Sequence, residues 1–457
     1  MKNNRFFFII LLFTNWAVAD VTLPSFFADN MVLQRHSQVR LWGWANPKEA
    51  LTITTSWDGA TYKVTATNLA EWSTSIATPK EGGPYTITLK GYNEVVLKNI
   101  MIGEVWLCSG QSNMEMTASW GILNGDEDVA QASHPNLRIF TVAKASASAP
   151  QLNLTGSWKT CTPETMKNSS AVAYFFARQL QTSLKDVPIG IIVSAWGGTA
   201  AEVWIPETII NKDELLKTAA SKLNPNEYCP HLPGTTFNTM IHPLVGYTIA
   251  GTLWYQGESN VGSNAYDKTF AALIKSWRQL WANDFPFYFV QIAPYNDGYQ
   301  HFGSVAIRDF QRRTLQLPNT GMVVTSDIST TDDIHPKDKK SVGIRLANLA
   351  LAKHYKISTG LVDGPLYKNY RIQKDRLLLE FDYATGMYFK NKTTSQFEIA
   401  GADNVFYPAD AIIKNSIIVV RSNKVKNPTR VRFAWKNDAQ SDLFNAAHLP
   451  ASSFITE

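Results

Sequence analysis

Cysteine is scarce in this chain of 457 residues, which contains only Cys108, Cys161 and Cys229. Three cysteines are too few for a disulfide framework, although the number allows one pair, with Cys161 and Cys229 as the preferred partners. The sequence also contains neither a CxxC nor an HxxxH pattern. It therefore has no zinc signature, and we expect no metal site.

Long hydrophobic runs are missing as well, since no stretch reaches the roughly 18 apolar residues of a membrane-spanning helix. The chain starts with a basic segment, continues with a short apolar run over residues 6–13, and has alanine at positions 17 and 19. This pattern predicts a secretory signal peptide over residues 1–19 and export to the periplasm or the cell exterior. A buried N-terminal strand is the alternative. No cysteine follows the predicted cleavage point, so we expect no membrane anchor.

Charge of either sign is nearly balanced, with 43 Lys and Arg against 38 Asp and Glu and a formal net charge of +5. No cluster of basic residues stands out, so we expect no nucleic-acid partner. Aromatic residues, by contrast, are abundant at 12%, including 14 tryptophans. Large β-sheet cores are the preferred explanation for this abundance, and sugar-binding surfaces are a compatible second one.

The pattern of apolar segments divides the chain into three parts after the signal peptide, as the length allows at roughly 150 residues per domain. Short alternating segments separated by turns predict an N-terminal β-sandwich domain over residues 20–102. The same pattern returns in a predicted C-terminal β domain over residues 359–457. The middle part, residues 103–358, has a different character.

Buried strands alternate with amphipathic helices in this middle part, which predicts an α/β fold with a parallel sheet. The near-continuous apolar strands are expected at residues 105–109, 189–194, 249–255, 287–292 and 322–326. The helices are expected at residues 170–184, 266–281 and 341–354.

In an open parallel sheet, ligands bind beyond the carboxyl ends of the strands. Ser109 and Ser112 lie in the turn after the first strand, where a serine can expose its oxygen at a helix start. A simple capping role is the alternative. Gly197 and Gly198 follow the second strand, where they either bring backbone N–H groups close to an oxyanion or form a tight turn.

Polar residues follow two later strands. Gln256, Glu258 and Asn260 form a cluster where substrate or water would meet them, unless these side chains satisfy one another. Asp332 precedes His335 by three residues, which is close enough to orient the imidazole ring. A capping aspartate beside a surface histidine is the alternative. Together, the strand ends supply a nucleophile, oxyanion donors and a base.

These segments resemble the sialate O-acetylesterase family, a branch of the SGNH (GDSL-like) carbohydrate esterases. The resemblance rests on WLCSGQSNM at 106–114, SAWGGT at 194–199, WYQGESN at 254–260 and DDIHP at 332–336. It extends to DNMVLQ at 29–34, NPTRVRFAW at 427–435 and the segment 445–454. It therefore covers nearly the whole chain after the signal peptide.

The resemblance implies a flavodoxin-like SGNH hydrolase domain, with helices on both faces of the sheet, flanked by the two β domains. It implies serine hydrolase chemistry on acetyl esters of sugars, with no metal or cofactor. Ser112 would be the nucleophile, His335 the base and Asp332 the residue that orients the base, with Asp333 as the substitute. The N–H groups of Ser112 and of the second glycine, Gly198, would form the oxyanion hole.

The chain departs from the family pattern in one block. QGESN stands where SGNH enzymes commonly have Gly-x-Asn-Asp, so the side-chain oxyanion donor is open between Gln256, the first choice, and Asn260.

The expected substrate is an O-acetylated sialic acid, free or glycan-linked. Its carboxylate would suit an arginine, for which Arg308 is a candidate, although a solvated helix face is the preferred explanation for that residue.

Two alternative functions remain, a different glycan substrate and a carbohydrate-binding role without catalysis. The same triad could act on acetylated xylan, pectin or another glycan, because fold and triad do not select the sugar. A carbohydrate-binding protein without catalytic activity would instead use the β domains and their tryptophans. Such a protein would bind glycan without releasing acetate.

Overall fold

The computed structural model describes residues 20–296, 298, 302–357, 360–391, 394 and 396–456. The predicted signal peptide lies outside these residues. Within the described part of the chain, no helix has the length and hydropathy needed to cross a membrane.

Residues 20–110 form two layers of β-sheet around a shared apolar core. The strands are β1 (Val32–Gln34), β2 (Gln38–Trp44), β3 (Ala50–Thr55), β4 (Thr61–Thr65), β5 (Glu71–Ala77), β6 (Gly82–Lys90) and β7 (Glu94–Gly110). Strands β2 and β5 pair in one layer, and β4, β3, β6 and β7 pair in the other, where β1 joins β7 in parallel. In β2, Val39 and Leu41 are buried while Arg40 is exposed, the alternation of a strand with one face on a core.

Strand β7 continues without interruption into a central sheet. The further strands of that sheet are β8 (His134–Val142), β9 (Gly156–Cys161), β10 (Ile189–Ala195), β11 (Gly251–Tyr255), β12 (Phe287–Val290) and β13 (Thr320–Val323). Their order is β13-β12-β11-β7-β10-β8-β9, and every neighbouring pair is parallel except β8 with β9. The part from β10 to β13 has the flavodoxin-like order, which confirms the predicted α/β fold class.

Helices cover both faces of the central sheet. They are α1 (Ser112–Glu115), α2 (Gly125–Ala130), α3 (Pro163–Lys167), α4 (Ala171–Ser183), α5 (Glu207–Ile210), α6 (Glu214–Ala220), α7 (Phe237–Met240), α8 (Tyr266–Trp281), α9 (Gly303–Thr314) and α10 (Lys339–Lys353). Alternate residues of β7 enter opposite cores: Trp106 packs in the cluster that contains α4 and α10, and Leu107 in the one that contains α8. A strand buried on both faces explains the continuous apolar run in the sequence.

The C-terminal part is a set of antiparallel sheets with a core of its own. Its strands are β14 (Leu366–Gln373), β15 (Arg376–Asp382), β16 (Tyr388–Phe389), β17 (Phe397–Ala400), β18 (Tyr407–Pro408), β19 (Asp410–Lys414), β20 (Ile417–Arg421), β21 (Arg430–Phe433), β22 (Leu443–Phe444) and β23 (Phe454–Ile455). Two sheets have the orders β14-β15-β20-β19 and β18-β17-β21-β23, and β16 pairs with β22. The predicted β regions on either side of the α/β part are therefore present.

The three cysteines are buried free thiols, so the suggested pairing of Cys161 with Cys229 does not form. The Sγ of Cys161 lies 3.8 Å from the carbonyl oxygen of Ala132, whereas the Sγ of Cys229 lies against Gly198. The two thiols have different surroundings, which sequence spacing could not reveal. Burial raises the pKa of Cys161 to about 12, so it stays protonated.

Candidate active site

The carboxyl ends of neighbouring parallel strands bring the candidate residues together. Gly110 at the end of β7 pairs with Ala195 of β10 on one side and with Tyr255 of β11 on the other. The loops that follow these three strands therefore start side by side. The loop after β13 reaches the same place through His335, which contacts the loop after β7.

A tight turn at Gly110 directs the chain from β7 into α1. Gly110 has a φ of 140°, and a Cβ on this residue would lie 2.2 Å from the carbonyl oxygen of Tyr255. The same carbonyl accepts a hydrogen bond from Gln111 N at 3.0 Å. Only glycine fits this close approach of two backbones. The turn places Ser112 at the start of α1, where it is partly exposed.

Ser112 and His335 are in direct contact, with 2.8 Å between Ser112 Oγ and His335 Nε2. Ser109, the other serine of the turn, is fully buried, and its Oγ donates to the carbonyl oxygen of Ser194 at 2.6 Å. Ser112 is therefore the accessible hydroxyl of this turn. A hydroxyl hydrogen-bonded to an imidazole is the arrangement that activates a serine nucleophile.

The surroundings of His335 favour its neutral form. Burial lowers the pKa of His335, the positive charge of Lys339 lowers it further, and the negative charge of Asp333 opposes both effects. A neutral imidazole can accept a proton from Ser112. The indole of Trp120, which is 49% exposed, stands edge-on to the imidazole with 6.4 Å between ring centroids.

The two candidate aspartates have different positions relative to His335. Asp332 is exposed, and a hydrogen bond from Thr330 contributes most to lowering its pKa. Asp333 Oδ1 accepts a hydrogen bond from the backbone N–H of His335 at 2.8 Å. Between the described residues, no hydrogen bond joins either carboxylate to the imidazole ring. The structure thus brings Asp333 to the backbone of the base and leaves Asp332 at the surface.

The glycine loop after β10 lies directly against the serine turn. The N–H of Gly197 donates to Glu115 Oε2 at 2.7 Å, and Glu115 Oε1 forms an ion pair with Lys144 Nζ at 2.6 Å. A Cβ on Gly197 would lie 3.3 Å from the Cβ of Ser112. Since Glu115 accepts from the first glycine, the second, Gly198, is the one whose N–H remains as a candidate oxyanion donor.

The two candidate side-chain donors are engaged away from Ser112. Gln256 is fully buried, and its Nε2 donates to Asn260 Oδ1 at 2.7 Å and to Thr199 O at 3.2 Å. Asn260 Nδ2 donates to Glu202 Oε2 at 2.8 Å, and Asn260 Oδ1 also accepts from Ala201 N at 2.9 Å. These contacts tie the end of β11 to the glycine loop. They do not direct either amide group at Ser112.

A family model described as carbohydrate esterase, sialic acid-specific acetylesterase matches residues 102–352, more than half of the chain. The chain belongs to this family.

Similar proteins extend the match to nearly the whole chain. A sialate O-acetylesterase from Homo sapiens is 31% identical over 94% of this chain and 91% of its own length. One from Mus musculus is 30% identical over 95% of this chain and 94% of its own length. A solved carbohydrate acetylesterase from Xanthomonas citri has a TM-score of 0.88 and 35% identity, covering 96% of this chain and 99% of that chain. As a member of the acetylesterase family, the chain is an enzyme that hydrolyses carboxylic esters.

Arg308, the candidate contact for a substrate carboxylate, has a structural position in this esterase. It is 1% exposed, and its guanidinium donates to the carbonyl oxygens of Asn437 at 2.9 Å and Lys436 at 2.5 Å. Burial lowers the pKa of Arg308 to about 9. The arginine therefore holds α9 to the C-terminal β region. It lies neither on a solvated helix face, the explanation preferred from the sequence, nor at a surface where it could contact a substrate carboxylate.

Sequence reasoning named Glu258 among the polar residues after β11 but missed Asn113 and Lys339, with which it forms a buried group next to Ser112. Asn113 Oδ1 accepts from Lys339 Nζ at 2.6 Å, and Asn113 Nδ2 donates to Glu258 Oε1 at 2.6 Å and to Ile334 O at 3.0 Å. Asn113 lies in the motif WLCSGQSNM and Glu258 in WYQGESN, so their positions in these motifs could have indicated a role. Lys339 had no such signal beyond its position at the start of the helix after His335.

The described residues contain no group of three or more His, Cys, Asp or Glu side chains that could hold a metal ion. Ser112 is instead surrounded by His335, by the glycine loop after β10 and by the buried group of Asn113, Lys339 and Glu258.

Proposed function

We propose that this protein removes O-acetyl groups from sialic acids through an acetyl-enzyme intermediate on Ser112. The observation that carries the proposal is the 2.8 Å contact between Ser112 Oγ and His335 Nε2 at the converging strand ends. Its substrate class follows the human and mouse relatives, which are named sialate O-acetylesterase.

The proposed reaction has two steps. His335 Nε2 takes the proton of Ser112 while Ser112 Oγ forms a bond to the acetyl carbonyl carbon. The tetrahedral intermediate collapses, the sugar oxygen leaves with the proton from His335, and the acetyl group remains on Ser112. Water then attacks the acetyl-enzyme with His335 again as the base, which releases acetate and restores the serine.

The N–H groups of Ser112 and Gly198 are the proposed donors to the oxyanion of both steps. Backbone donors that are fixed before the reaction stabilise the developing charge without reorganisation, and one such donor contributes about 3 kcal/mol to the barrier difference. Gln256 and Asn260 support the loop that carries Gly198, because their amide groups bind Thr199, Ala201 and one another.

Asp333 is the carboxylate that we expect to support the charged form of His335. Its negative charge raises the pKa of His335, and its Oδ1 accepts the N–H of that residue at 2.8 Å. Asp332, to which the family resemblance gave the orientation of the ring, is the alternative carboxylate. The two aspartates are compared experimentally below.

A second substrate class is compatible with a relative whose name specifies no particular sugar. The carbohydrate acetylesterase from Xanthomonas citri is 35% identical over 96% of this chain, a higher identity than the 31% of the human relative. The same Ser–His pair would then act on acetylated xylan, pectin or another glycan.

Acetate release by the purified protein tests both proposals. The substrates are an O-acetylated sialic acid, acetylated xylan and p-nitrophenyl acetate. Ser112→Ala is assayed beside Ser221→Ala, which removes an exposed hydroxyl at the end of α6. We expect release from the sialic acid that is lost in Ser112→Ala and retained in the control.

The other outcomes distinguish the two substrate classes and test the nucleophile. Release from xylan but not from the sialic acid would establish the second substrate class. Ser112→Ala with most of its activity left would contradict the nucleophile. Glycan binding without any acetate release would contradict the proposed reaction.

We also propose that residues 1–19 direct export and are removed. The basic start, the short apolar run and the alanines at 17 and 19 support this proposal. The N-terminal sequence of the exported protein should begin at Asp20, and a retained N-terminus on exported protein would contradict cleavage there.

A further inference from the structure

A charged group lies behind the Ser112–His335 pair, and the proposed reaction does not use it. Lys339 is 0% exposed, and its Nζ donates to Asn113 Oδ1 at 2.6 Å. Asn113, also 0% exposed, donates from Nδ2 to Glu258 Oε1 at 2.6 Å. A lysine with no access to water is rare, because removal of an ammonium group from water is costly unless it is paired.

The members of this group are connected to both halves of the reacting pair. Asn113 directly follows Ser112, and its Nδ2 also donates to the carbonyl oxygen of Ile334 at 3.0 Å. Ile334 directly precedes His335. One buried amide therefore joins the serine turn to the histidine loop, and the ammonium group of Lys339 fixes the orientation of that amide.

The orientation of the Asn113 amide follows from its partners. In their charged forms Lys339 only donates and Glu258 only accepts, which favours Lys339 against Oδ1 and Glu258 against Nδ2, the arrangement observed. In a reversed amide, the Nδ2 donor would face the ammonium donor of Lys339, and the Oδ1 acceptor would face the carboxylate acceptor of Glu258. The Nδ2 atom is thereby held toward Ile334 O as well, and the distance between the two loops is fixed.

The charge of Lys339 also reaches His335. Burial lowers the pKa of Lys339 to about 7, against the opposing charges of Glu258, Asp333 and Asp338. Lys339 is therefore positive in the acidic range, where it lowers the pKa of His335. The other groups that face His335 are Ser112, the ring of Trp120 and Asp333.

We propose that Lys339, Asn113 and Glu258 form a positioning unit that holds the serine turn against the histidine loop in the geometry needed for proton transfer. The inference rests on the proposed function, because it assigns Lys339 as a positioning residue for the same reaction. The competing explanation is a buried group of opposite charges, bridged by Asn113, that contributes only to folding.

Four variants separate the two explanations. Lys339→Met removes the charge and keeps the length of the side chain, and Glu258→Gln removes the opposite charge. The double variant Lys339→Met/Glu258→Gln removes both, so that no unpaired charge remains buried. Lys340→Met is the matched control, since this neighbouring lysine is 50% exposed and pairs with Asp128.

Steady-state hydrolysis of p-nitrophenyl acetate, its pH profile and thermal unfolding are measured for each variant. We expect kcat of Lys339→Met to fall by about a hundredfold, the loss typical of a small misplacement of reacting groups, with KM nearly unchanged. The acid limb of its kcat/KM profile should move to higher pH, because a positive charge near His335 is gone. Lys340→Met should match the unmodified protein in all of these measurements.

The double variant gives the decisive comparison. A positioning role predicts that it recovers the thermal stability lost in the single variants while kcat stays low, because the Asn113 amide is no longer fixed from both sides. Recovery of stability and kcat together would show a folding role only and overturn the proposal. So would a folded Lys339→Met with unchanged kcat and pH profile.

Lys339→Arg keeps the proposal testable if Lys339→Met does not fold. It retains the charge but replaces the ammonium group with a planar guanidinium of different geometry. We expect lower kcat without a shift of the pH profile, and an unchanged kcat would contradict the positioning role. Failure of the unmodified protein to release acetate would contradict the proposed function itself, whereas an active protein that is insensitive to Lys339 contradicts only this inference.

Discussion

At the scale of single residues, the protonation state of His335 sets the pH at which the proposed reaction can begin. Burial and the charge of Lys339 lower the pKa of His335 from its ordinary value of 6.5, against the effect of Asp333. We therefore predict that kcat/KM falls as the pH drops through an apparent pKa below 6.5, and that the base is already neutral at pH 7.

A pH–rate profile between about pH 4 and pH 8 checks this prediction, with circular dichroism at each pH to confirm that the protein stays folded. An acid limb above the ordinary histidine value would show that the negative charge of Asp333 outweighs burial and Lys339.

The two aspartates beside His335 allow a matched test at the same scale. We predict that Asp332→Ala retains kcat within about threefold, because Asp332 is exposed and bonded to Thr330. Asp333→Ala should lower kcat by about tenfold or more, because it removes the acceptor of the backbone N–H of His335. A charge-assisted hydrogen bond of this kind contributes about 1.5–3 kcal/mol. The opposite order in steady-state assays would restore Asp332 as the orienting residue.

Ser109, Ser112 and His335 could be placed near one site because each follows a buried strand, and strand ends meet at one edge of a parallel sheet. The choice of Ser112 over Ser109 came from the family resemblance. The roles expected for Gln256 and Asn260 depend on contacts that no local pattern reveals. Their partners Thr199 and Glu202 are more than fifty residues away in the chain, as the 57- and 58-residue separations of these hydrogen bonds show. A motif places a polar residue near a site but does not decide whether its donors face the substrate or the protein.

At the scale of elements, helices were predicted better than the ends of strands. The predicted helix at residues 266–281 is α8 with the same bounds, since its apolar stripe is long and regular. Helix α10 starts at Lys339, two residues before the prediction, because the Asp338 side chain accepts from Ser341 N and caps the helix there. Strand β7 runs through residues 102 and 103, where a domain boundary had been predicted, because one strand serves two sheets.

Packing of α10 against α4 fixes the helix that begins with Lys339, and a glycine makes the close approach possible. A Cβ on Gly343 would lie 2.6 Å from the Cβ of Phe175 and 2.8 Å from the carbonyl oxygen of Val172. We predict that Gly343→Ala lowers the free energy of unfolding by about 1–3 kcal/mol, since overpacking outweighs the better helix propensity of alanine.

Chemical denaturation measures this change, with Asn348→Ala at a partly exposed position of the same helix as the control. Stability equal to or above that of the unmodified protein in Gly343→Ala would show that the two helices can separate without cost. A decrease in kcat beyond the loss of folded protein would connect this packing to the position of Lys339.

At the scale of the whole molecule, the C-terminal β region is joined to the esterase part by polar contacts as well as by the chain. Gln440 Nε2 donates to the carbonyl oxygen of Ser329, in the loop that leads to His335, at 2.5 Å. Gln291 Nε2 donates to Ser452 Oγ at 2.7 Å. The β region is thus in contact with the loop of the base, an arrangement that strand patterns in the sequence could not predict.

Arg308 provides the most direct test of this connection, because its guanidinium donates to the carbonyl oxygens of Lys436 and Asn437. We predict that Arg308→Ala lowers the free energy of unfolding by about 3 kcal/mol or more, since it leaves buried carbonyl groups unpaired and removes a large side chain. The KM for an O-acetylated sialic acid relative to that for p-nitrophenyl acetate should stay unchanged, because the buried guanidinium has no donor facing a substrate.

Thermal unfolding and the ratio of the two KM values are measured together, with Arg371→Ala at an exposed position of β14 as the control. A stable Arg308→Ala variant with a raised KM for the sialic acid alone would return Arg308 to the substrate, as its charge first suggested. Loss of stability with an unchanged ratio would instead mean that recognition of any substrate carboxylate depends on a group nearer to Ser112. Lys144, exposed and paired with Glu115 beside the glycine loop, would then be the next residue to exchange.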